Sequence, residues 1–432
     1  MAVETPMLPK LMSDQTLTPE KFEEGRKMEM REIWGFATCG ELLFGNHSVH
    51  KVGKVARRLG LKKVLVVTDP GIRSAGLLDF AEKPLKEASI SFGVFDRGEP
   101  EPSIENVLDC AEFAGQGDYD GFVCLGGGSV IDLGKATSAL VTHGKHPQDY
   151  FGEGKIPGPV KPVIAVTTTS GTGSEVSPAS VLTDRKANLK KGISDNKLRP
   201  RVSIVDPLLT VSCPPHVTAA TGIDVLAHAI ESFMALNYAY LPLNPGEEDT
   251  VLYHGSNPLS DCLALRAVEW VGRYLRTAVD QGKNIEARVN MAMANIMAGM
   301  AFSNSGVTAV HAMAYPLGAV SHAPHGVVNG LLLPHVMEFN IPVSAERLAA
   351  VAKALGERVE GISQREAASK AIHAVHGLIK DIGLPIRMRD IGVKKEDIRP
   401  MAEATMQVTR LLRSNPRRVS VAAIEEIFHH AF

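Results

Sequence analysis

The stretch GFVCLGGGSVIDLGKATSALV, residues 121–141, joins an apolar run to a helical pattern through three consecutive glycines. Such a run, ended by a glycine turn, is typical of a buried strand that leads directly into a helix. Strand-like runs recur on both sides of it, at 61–71, 91–96, 162–175 and 203–207, with helical patterns at 80–89 and 106–117. This alternation predicts βαβ units and a mostly parallel sheet with helices on its faces.

The pattern of apolar residues in the sequence changes after about residue 214. Apolar residues there recur at helical spacing, and the runs rich in Val and Ile disappear. We therefore predict an N-terminal extension over 1–35, a Rossmann-like α/β domain over 36–213 and an all-α C-terminal domain over 214–432. Two segments lack periodicity: 237–258 is rich in turn formers and predicts a surface or cleft-edge loop, and the basic 410–418 predicts a solvated turn.

The composition of the 432 residues is that of an ordinary globular protein. With 46 basic and 48 acidic residues, the chain has no overall charge that would favour nucleic acid or an anionic membrane as a partner. No apolar run approaches the ~20 residues of a membrane helix, and the first 30 residues lack the pattern of a signal peptide. Five scattered cysteines without a CxxC pair predict reduced thiols, and together these features predict a cytoplasmic protein.

Two polar loops follow strand-like runs. Glycines at 126–128, before Ser129, would let a ligand approach the backbone at a helix start, where free N–H groups suit a phosphate. The segment TTTSGTGSE, 167–175, offers many hydroxyl donors at a second strand end. Neither loop matches the P-loop or the GxGxxG fingerprint, and each alone could be a structural turn. Two such loops in one sheet favour a nucleotide.

Several side chains could bind a divalent metal ion. Asp224 and His228 are four residues apart in a helical pattern, so they can face one cation, although such a pair is more often hydrogen-bonded or exposed. A mostly apolar stretch further on holds four histidines, namely His311, His322, His325 and His335. Neutral imidazoles are common metal ligands, and a set from both segments would suit Fe²⁺ or Zn²⁺.

Four motifs, in this order, resemble those of the iron-containing (group III) alcohol dehydrogenases. They are GGGSVIDLGKA (126–136), TTTSGTGSEVS (167–177), GIDVLAHAIES (222–232) and VHAMAYPLGAVSHAPHGVVNGLLLPHV (310–336), and the likeness extends from about residue 36 to the C-terminus. The resemblance implies that the first domain binds NAD and that the helical domain binds metal and substrate. It also implies a small alcohol or aldehyde as substrate and a homodimer or larger homo-oligomer.

Transferred to this sequence, the resemblance also assigns individual residues. It implies metal ligation by Asp224, His228, His311 and His325, and leaves out His322 and His335. Asp69 matches an acid that binds the adenosine ribose and would repel the 2′-phosphate of NADP. Phe302 and Ala179 match positions in the substrate cleft. The remaining cofactor positions are Gly127, Gly128 and Ser129 at the pyrophosphate, and Asp132, Thr168, Thr169, Thr172, Ser174, Val181 and Lys190 along the dinucleotide.

Two departures from the family pattern bear on function. Tyr315 stands where many members have a histidine assigned to proton relay, and a phenol is a poorer base at neutral pH. The 237–258 segment and the Tyr-Pro pair at 315–316 resemble the hydroxyacid-oxoacid transhydrogenase branch, which would retain NAD(H). The sequence predicts a metal-dependent oxidoreductase that moves hydride between an alcohol or hydroxy acid and NAD. The alternatives are that transhydrogenase and a non-catalytic nucleotide or metal sensor.

Overall fold

The computed structural model describes residues 31–186, 189–243 and 251–432, so most of the predicted N-terminal extension lies outside it. The strands are β1 (Leu42–Phe44), β2 (Lys63–Val67), β3 (Ser91–Phe95), β4 (Gly121–Gly126), β5 (Gly152–Glu153), β6 (Val163–Thr167), β7 (Ala179–Asp184), β8 (Leu189–Ser194) and β9 (Val202–Val205). Six of them form one sheet in the order β1-β9-β6-β4-β2-β3, and every pairing in it is parallel. This confirms the predicted parallel sheet.

The order of the strands reverses once in this sheet. Strand β3 lies beside β2 at one edge, whereas β4, the next strand along the chain, lies on the other side of β2. In open α/β sheets ligands bind at such a reversal, in the crevice beyond the carboxyl ends of the strands. The turn after β4 is the predicted glycine loop, and Asp69 follows β2.

Helices cover both faces of the sheet, and its central strands are therefore buried on each side. These helices are α1 (Val52–Arg58), α2 (Pro70–Ser74), α3 (Asp79–Glu87), α4 (Ile104–Gly115) and α5 (Gly128–His143). Val107 of α4 and Ile131 of α5 pack on one face, while Ala56 of α1 and Leu85 of α3 pack on the other. The layers are therefore helix, sheet and helix.

A second sheet lies outside the pattern that the sequence predicts. Strands β7 and β8 form an antiparallel hairpin, and β5 pairs with β8 in parallel. Side chains of β7 alternate between half-buried and buried, so one face of the strand is partly exposed to solvent and the other is buried. The hairpin carries three residues of the predicted site, Ala179, Val181 and Lys190.

The part of the chain described after β9 is helical. Its helices are α6 (Pro215–Met234), α7 (Pro258–Asp280), α8 (Ile285–Ser305), α9 (Ala309–Ser321), α10 (His325–Ala354), α11 (Gln364–Asp381), α12 (Ile398–Thr405), α13 (Thr409–Leu412) and α14 (Val421–Ala431). Helix α6 is buried along almost its whole length and lies in the middle of one apolar core. Across the described residues, no helix combines the length and the apolar character needed to cross a bilayer.

Candidate active site

Three of the predicted metal ligands converge from three helices. Asp224 lies in the middle of α6, His311 in the first turn of α9 and His325 at the first position of α10. One ligand atom from each residue lies within 4.8 Å of the other two. Asp224 and His311 are buried and His325 is half-buried. An oxygen and two ring nitrogens at this spacing form a donor set suited to a divalent first-row metal.

Close packing of two helices brings His325 to Asp224. A Cβ atom at Gly326 would lie 1.9 Å from the carbonyl oxygen of Ala220 and 3.1 Å from Cβ of Asp224. Only glycine therefore permits the start of α10 to approach α6 this closely. Gly326 thus sets the distance between His325 and Asp224.

The amide group of Asn329 lies at the centre of the three ligands. Its Nδ2 is 2.7 Å from Oδ1 of Asp224 and 3.1 Å from Nε2 of both His311 and His325. An amide nitrogen carries two hydrogens, so it cannot satisfy three acceptors. The Oδ1 atom of Asn329 is buried without a hydrogen-bond partner. This excess of acceptors around one point fits a cation.

A buried carboxylate orients His311. One oxygen of Glu231 accepts hydrogen bonds from the backbone N–H of Thr308 (2.9 Å), the hydroxyl of Thr308 (2.7 Å) and the backbone N–H of Val310 (2.8 Å). The other oxygen contacts Nδ1 of His311. A proton on Nδ1 leaves Nε2, which faces Asp224 and His325, free to bind a metal.

The pKa values of Asp224 and His325 favour the protonation states that bind a metal, whereas that of His311 does not. Burial lowers the pKa of His325 to about 3, which keeps this imidazole neutral. Burial also lowers the pKa of His311, but the Glu231 carboxylate outweighs this effect and raises it above its ordinary value. Burial would raise the pKa of Asp224, yet the neighbouring imidazoles and Asn329 lower it overall. Metal ligation needs an ionised carboxylate and neutral imidazoles, so His311 must lose a proton from Nε2 when a metal binds.

His228, the fourth predicted ligand, lies beside this group. It follows Asp224 by one turn of α6, and its Nδ1 is 4.0 Å from Oδ2 of Asp224. The ring stacks on Phe302 with centroids 4.3 Å apart. Burial lowers the pKa of His228 to about 4, and Nδ1 is buried with no hydrogen-bond partner. A metal ion bound at this position would give Nδ1 a partner, so His228 could be a fourth ligand.

The two other candidate histidines lie elsewhere. His322 caps the end of α9 in a left-handed conformation and is exposed. The ring of His335 packs against that of His376, with centroids 5.5 Å apart. Neither residue belongs to the group formed by Asp224, His311 and His325.

The two glycine-rich loops lie side by side because β4 and β6 are neighbours and Gly126 pairs with Thr167. A Cβ at Gly128 would lie 2.3 Å from the hydroxyl of Thr172, and one at Gly127 would lie 3.2 Å from that of Thr169. The missing side chains at Gly127 and Gly128 therefore leave room for the threonine side chains of the second loop.

A hydroxyl and a helix start complete this loop pair. The hydroxyl of Thr168 is buried without a hydrogen-bond partner. Helix α5 begins at Gly128, and Gly127 supplies no side-chain cap to its first N–H groups. Such unpaired donors suit a pyrophosphate.

Asp132 and Lys135 of α5 hold the segment from Ser174 to Val181 in place. The Asp132 carboxylate accepts hydrogen bonds from the Ser174 hydroxyl and from the backbone N–H of Val181, the latter at 2.9 Å. The Lys135 ammonium contacts the carbonyl oxygens of Ser174 (2.5 Å), Ser177 (3.0 Å) and Ala179 (2.8 Å). Burial lowers the pKa of Lys135 to about 8.

One cavity connects the loops to the three converging ligands. The predicted residues that line it are Gly128, Ser129, Asp132, Thr172, Ser174, Ala179, Val181, Lys190, Asp224, His228, Phe302, His311, Tyr315 and His325. Gly127, Thr168 and Thr169 belong to the loops but are not among the residues that line the cavity. Asp69 is half-buried beyond β2, where its Oδ1 accepts a hydrogen bond from the backbone N–H of Ile72 (2.9 Å) and caps α2.

Several residues of the site were missed by the sequence analysis. Glu231 follows Asp224 by seven residues and Asn329 follows His325 by four, so helical spacing alone puts each pair on one face. The prediction of a solvated turn over 410–418 was wrong at Arg410, which lines the cavity. Tyr253 also lines it, so the predicted cleft-edge loop reaches the cleft; residues 244–250 of that loop lie outside the described chain.

Comparison with known proteins places this architecture in a family. Residues 39–207 match the family described as iron-containing alcohol dehydrogenase, and residues 250–432 match the C-terminal region of the same family. The 1,3-propanediol dehydrogenase of Citrobacter freundii is 40% identical over 391 residues, which cover 90% of this chain and 96% of that protein. The chain therefore belongs to the iron-containing alcohol dehydrogenases.

Solved structures agree with this assignment. A crystal structure of 1,3-propanediol oxidoreductase has a TM-score of 0.86 at 38% identity, over 93% of this chain and 100% of that one. The sulfoacetaldehyde reductase of Bifidobacterium kashiwanohense, solved with NAD⁺, has a TM-score of 0.80 at 30% identity, over 93% and 99%. The protein is thus an oxidoreductase that transfers hydride between an alcohol and NAD, as the sequence predicted.

Proposed function

We propose that the protein is an Fe²⁺-dependent alcohol dehydrogenase in which Asp224, His228, His311 and His325 hold the metal. The single observation that carries this proposal is the convergence of three of these side chains on Asn329, with ligand atoms within 4.8 Å of one another. The unpartnered Nδ1 of His228 at the same place supports a fourth ligand. Zn²⁺ would suit the same donors, and the family supports iron.

The protein's own residues divide the remaining tasks between the two ends of the cavity. Gly128, Ser129 and the start of α5 would bind the pyrophosphate, and Asp69 the adenosine ribose. Phe302 and Ala179 would flank the reacting carbon. When bound, the metal would act as a Lewis acid toward the substrate oxygen, and the nicotinamide would carry the hydride. Asp224 and the imidazoles would orient the substrate by fixing that ion.

Tyr315 would guide the hydroxyl proton towards solvent. It lies one turn after His311 on α9 and faces the same cavity. Burial raises the pKa of its phenol, so the group stays protonated at neutral pH. It can pass on a hydrogen bond but cannot act as a strong base. We therefore expect Tyr315→Phe to slow turnover without preventing it.

Metal removal and replacement test this function. Protein treated with EDTA should not reduce NAD with 1,3-propanediol or 1-butanol, and anaerobic Fe²⁺ should restore NADH formation, followed by absorbance. His311→Ala and His325→Ala should lose both bound iron, measured by elemental analysis, and turnover. They should keep NADH binding, measured by fluorescence titration, because the loops that bind the dinucleotide lie on other elements.

His373→Ala is the matched control, since His373 is exposed on α11 away from the cavity. It should keep iron, NADH binding and turnover. Full alcohol oxidation by the metal-free protein would contradict the proposed role of the metal. NADH binding without turnover of any alcohol, in protein that contains iron, would instead indicate a sensor. The predicted cytoplasmic location and homo-oligomeric assembly stay predictions.

A further inference from the structure

An apolar path leads away from the converging ligands within the cavity. The ring of Phe302 stacks on that of His228, so it marks the end of this path next to the predicted metal ligands. Val307 and Leu411 pack together with Phe302 in one apolar cluster, and all three side chains line the cavity. The hydrocarbon chain of a substrate whose oxygen faces the ligands would therefore lie along these side chains, where apolar contact is favourable.

The ring of Tyr253 adjoins this apolar path. Tyr253 lines the same cavity, and only 6% of it is exposed. A Cβ atom at Gly306, the residue before Val307, would lie 3.5 Å from Cβ of Tyr253. The guanidinium carbon of Arg410, the residue before Leu411, lies 5.1 Å from the centroid of the Tyr253 ring. Tyr253 therefore contacts the chain beside both Val307 and Leu411.

The Tyr253 side chain is held in place from several directions. Its hydroxyl lies 3.3 Å from that of Ser194 on β8, which is within hydrogen-bond distance. The backbone N–H groups of the next two residues, His254 and Gly255, donate hydrogen bonds of 2.5 and 3.2 Å to carbonyl oxygens in the last turn of α8. Because a packed interior resists displacement of a large side chain, the ring forms a fixed wall of the cavity.

Resting on the proposed function, we propose that the ring of Tyr253 ends the apolar path and limits the length of the hydrocarbon chain that a substrate can have. A chain that stops short of the ring gains apolar contact with each added carbon atom. A longer chain must displace the ring, which is costly in a packed interior. Tyr253 is thus a residue that determines specificity, and through it the 237–258 segment takes part in the choice of substrate.

A series of unbranched primary alcohols, from ethanol to 1-decanol, measures this limit. For the iron-loaded protein, kcat/KM for oxidation with NAD should rise about threefold to fourfold with each added carbon atom that fits. It should then fall at least ~10-fold once the chain reaches the ring. Tyr253→Ala should move this fall to chains that are longer by roughly three to five carbon atoms, because the space of the phenol ring becomes available.

Three further variants separate the effect of the ring from a general defect. Tyr253→Phe keeps the ring, so kcat/KM should fall at the same chain length as in the unaltered protein. Tyr253→Val should move the fall by fewer carbon atoms than Tyr253→Ala, and it remains the test if the alanine variant does not fold. Tyr240→Ala removes a ring of the same segment that is 54% exposed, and it should not change the limit. Thermal unfolding of each variant checks that it folds.

The outcomes distinguish this inference from the proposed function. A kcat/KM that rises steadily up to 1-decanol in the unaltered protein would overturn the inference and leave the dehydrogenase function standing. So would a fall at the same chain length in the unaltered protein, Tyr253→Ala and Tyr253→Val. Unbranched primary amides, used as competitive inhibitors, should show the same limit and the same shift, which reports binding without turnover. Failure to oxidise any alcohol of the series would overturn the proposed function and the inference with it.

Discussion

The contact between Glu231 and His311 shows how one residue determines which ring nitrogen of another carries the proton. Glu231 has one oxygen occupied by three donors and the other by Nδ1 of His311. Both oxygens of this buried carboxylate thus have defined partners. The residue cannot be replaced by its amide without a conflict, because an amide must present a donor on one of the two sides.

We expect Glu231→Gln to weaken metal binding by about 10-fold to 100-fold. If the amide nitrogen faces His311, it donates to Nδ1, and the proton moves to Nε2, which can then no longer bind a metal. If the nitrogen faces α9, it meets the N–H groups of Thr308 and Val310 instead. Competition between the protein and a chelator for Fe²⁺ measures the loss.

Glu269→Gln is the control for this change, since Glu269 is an exposed residue of α7 paired with Arg266. It should bind iron as tightly as the unaltered protein. Unchanged iron affinity in Glu231→Gln would show that Glu231 does not set the protonation of His311.

At this scale the residues and the resemblance contributed different parts of the prediction. Helical spacing and residue type pointed to Asp224 and to four histidines, and could not choose among the histidines. The resemblance made that choice, and the structure brings His311 and His325 to Asp224. Arg410 could not be placed at the cavity, because its position there depends on where α13 packs and not on its neighbours in sequence.

At the scale of elements, the site depends on how closely α6 and α10 approach each other. The approach occurs at Gly326, where a side chain would overlap the backbone of α6. Because helices move as rigid units, a displacement at Gly326 would move His325 by a similar amount. The geometry of the ligands is therefore a property of helix packing.

We expect Gly326→Ala to destabilise the protein by about 1–3 kcal/mol and to weaken iron binding, because α10 must shift away from α6. Thermal unfolding of the metal-free protein and chelator competition measure the two effects. Gly377→Ala is the matched change within α11, where a Cβ would meet no atom within 4 Å. That variant should be more stable by about 0.5–1 kcal/mol. Wild-type iron affinity in Gly326→Ala would mean that the helix contact does not position His325.

The sequence predicted five of the six strands of the parallel sheet and most helices, but neither β1 nor the β7–β8 hairpin. Buried parallel strands are continuous apolar runs, which stand out in a sequence. The hairpin strands ASVLTD and LKKGIS are short, half-buried and rich in polar residues, so their pattern resembles that of a loop. Their pairing is fixed by tertiary contacts, such as the hydrogen bond from Val181 to Asp132.

The stability of the whole molecule depends on a buried acid between the two halves of the chain. Glu175 is fully buried and accepts a 2.6 Å hydrogen bond from Asn295 of α8. Burial raises its pKa from 4.5 to about 7. Between these values the folded protein binds more protons than the unfolded chain, so the free energy of unfolding falls as the pH rises.

We expect Glu175→Gln to remove this pH dependence. Relative to the variant, the unaltered protein should lose up to roughly 3 kcal/mol between pH 4.5 and pH 7, because ionisation of Glu175 is disfavoured in the fold. Urea unfolding at pH 5 and pH 7.5, in EDTA to exclude metal binding, measures the difference. Glu112→Gln, at an exposed position of α4, should differ from the unaltered protein equally at both pH values. A constant difference for Glu175→Gln as well would contradict the assigned ionisation.

The hydrogen bonds from Lys135 to the segment from Ser174 to Ala179 have a thermodynamic consequence for NAD binding. The buried ammonium donates hydrogen bonds to three carbonyl oxygens of that segment in the protein without a ligand. Ordering a loop costs conformational entropy, and here the cost belongs to folding and not to association. A cofactor bound against this segment would therefore meet a backbone that folding has already ordered, and little of its intrinsic affinity would be lost in arranging the protein around it.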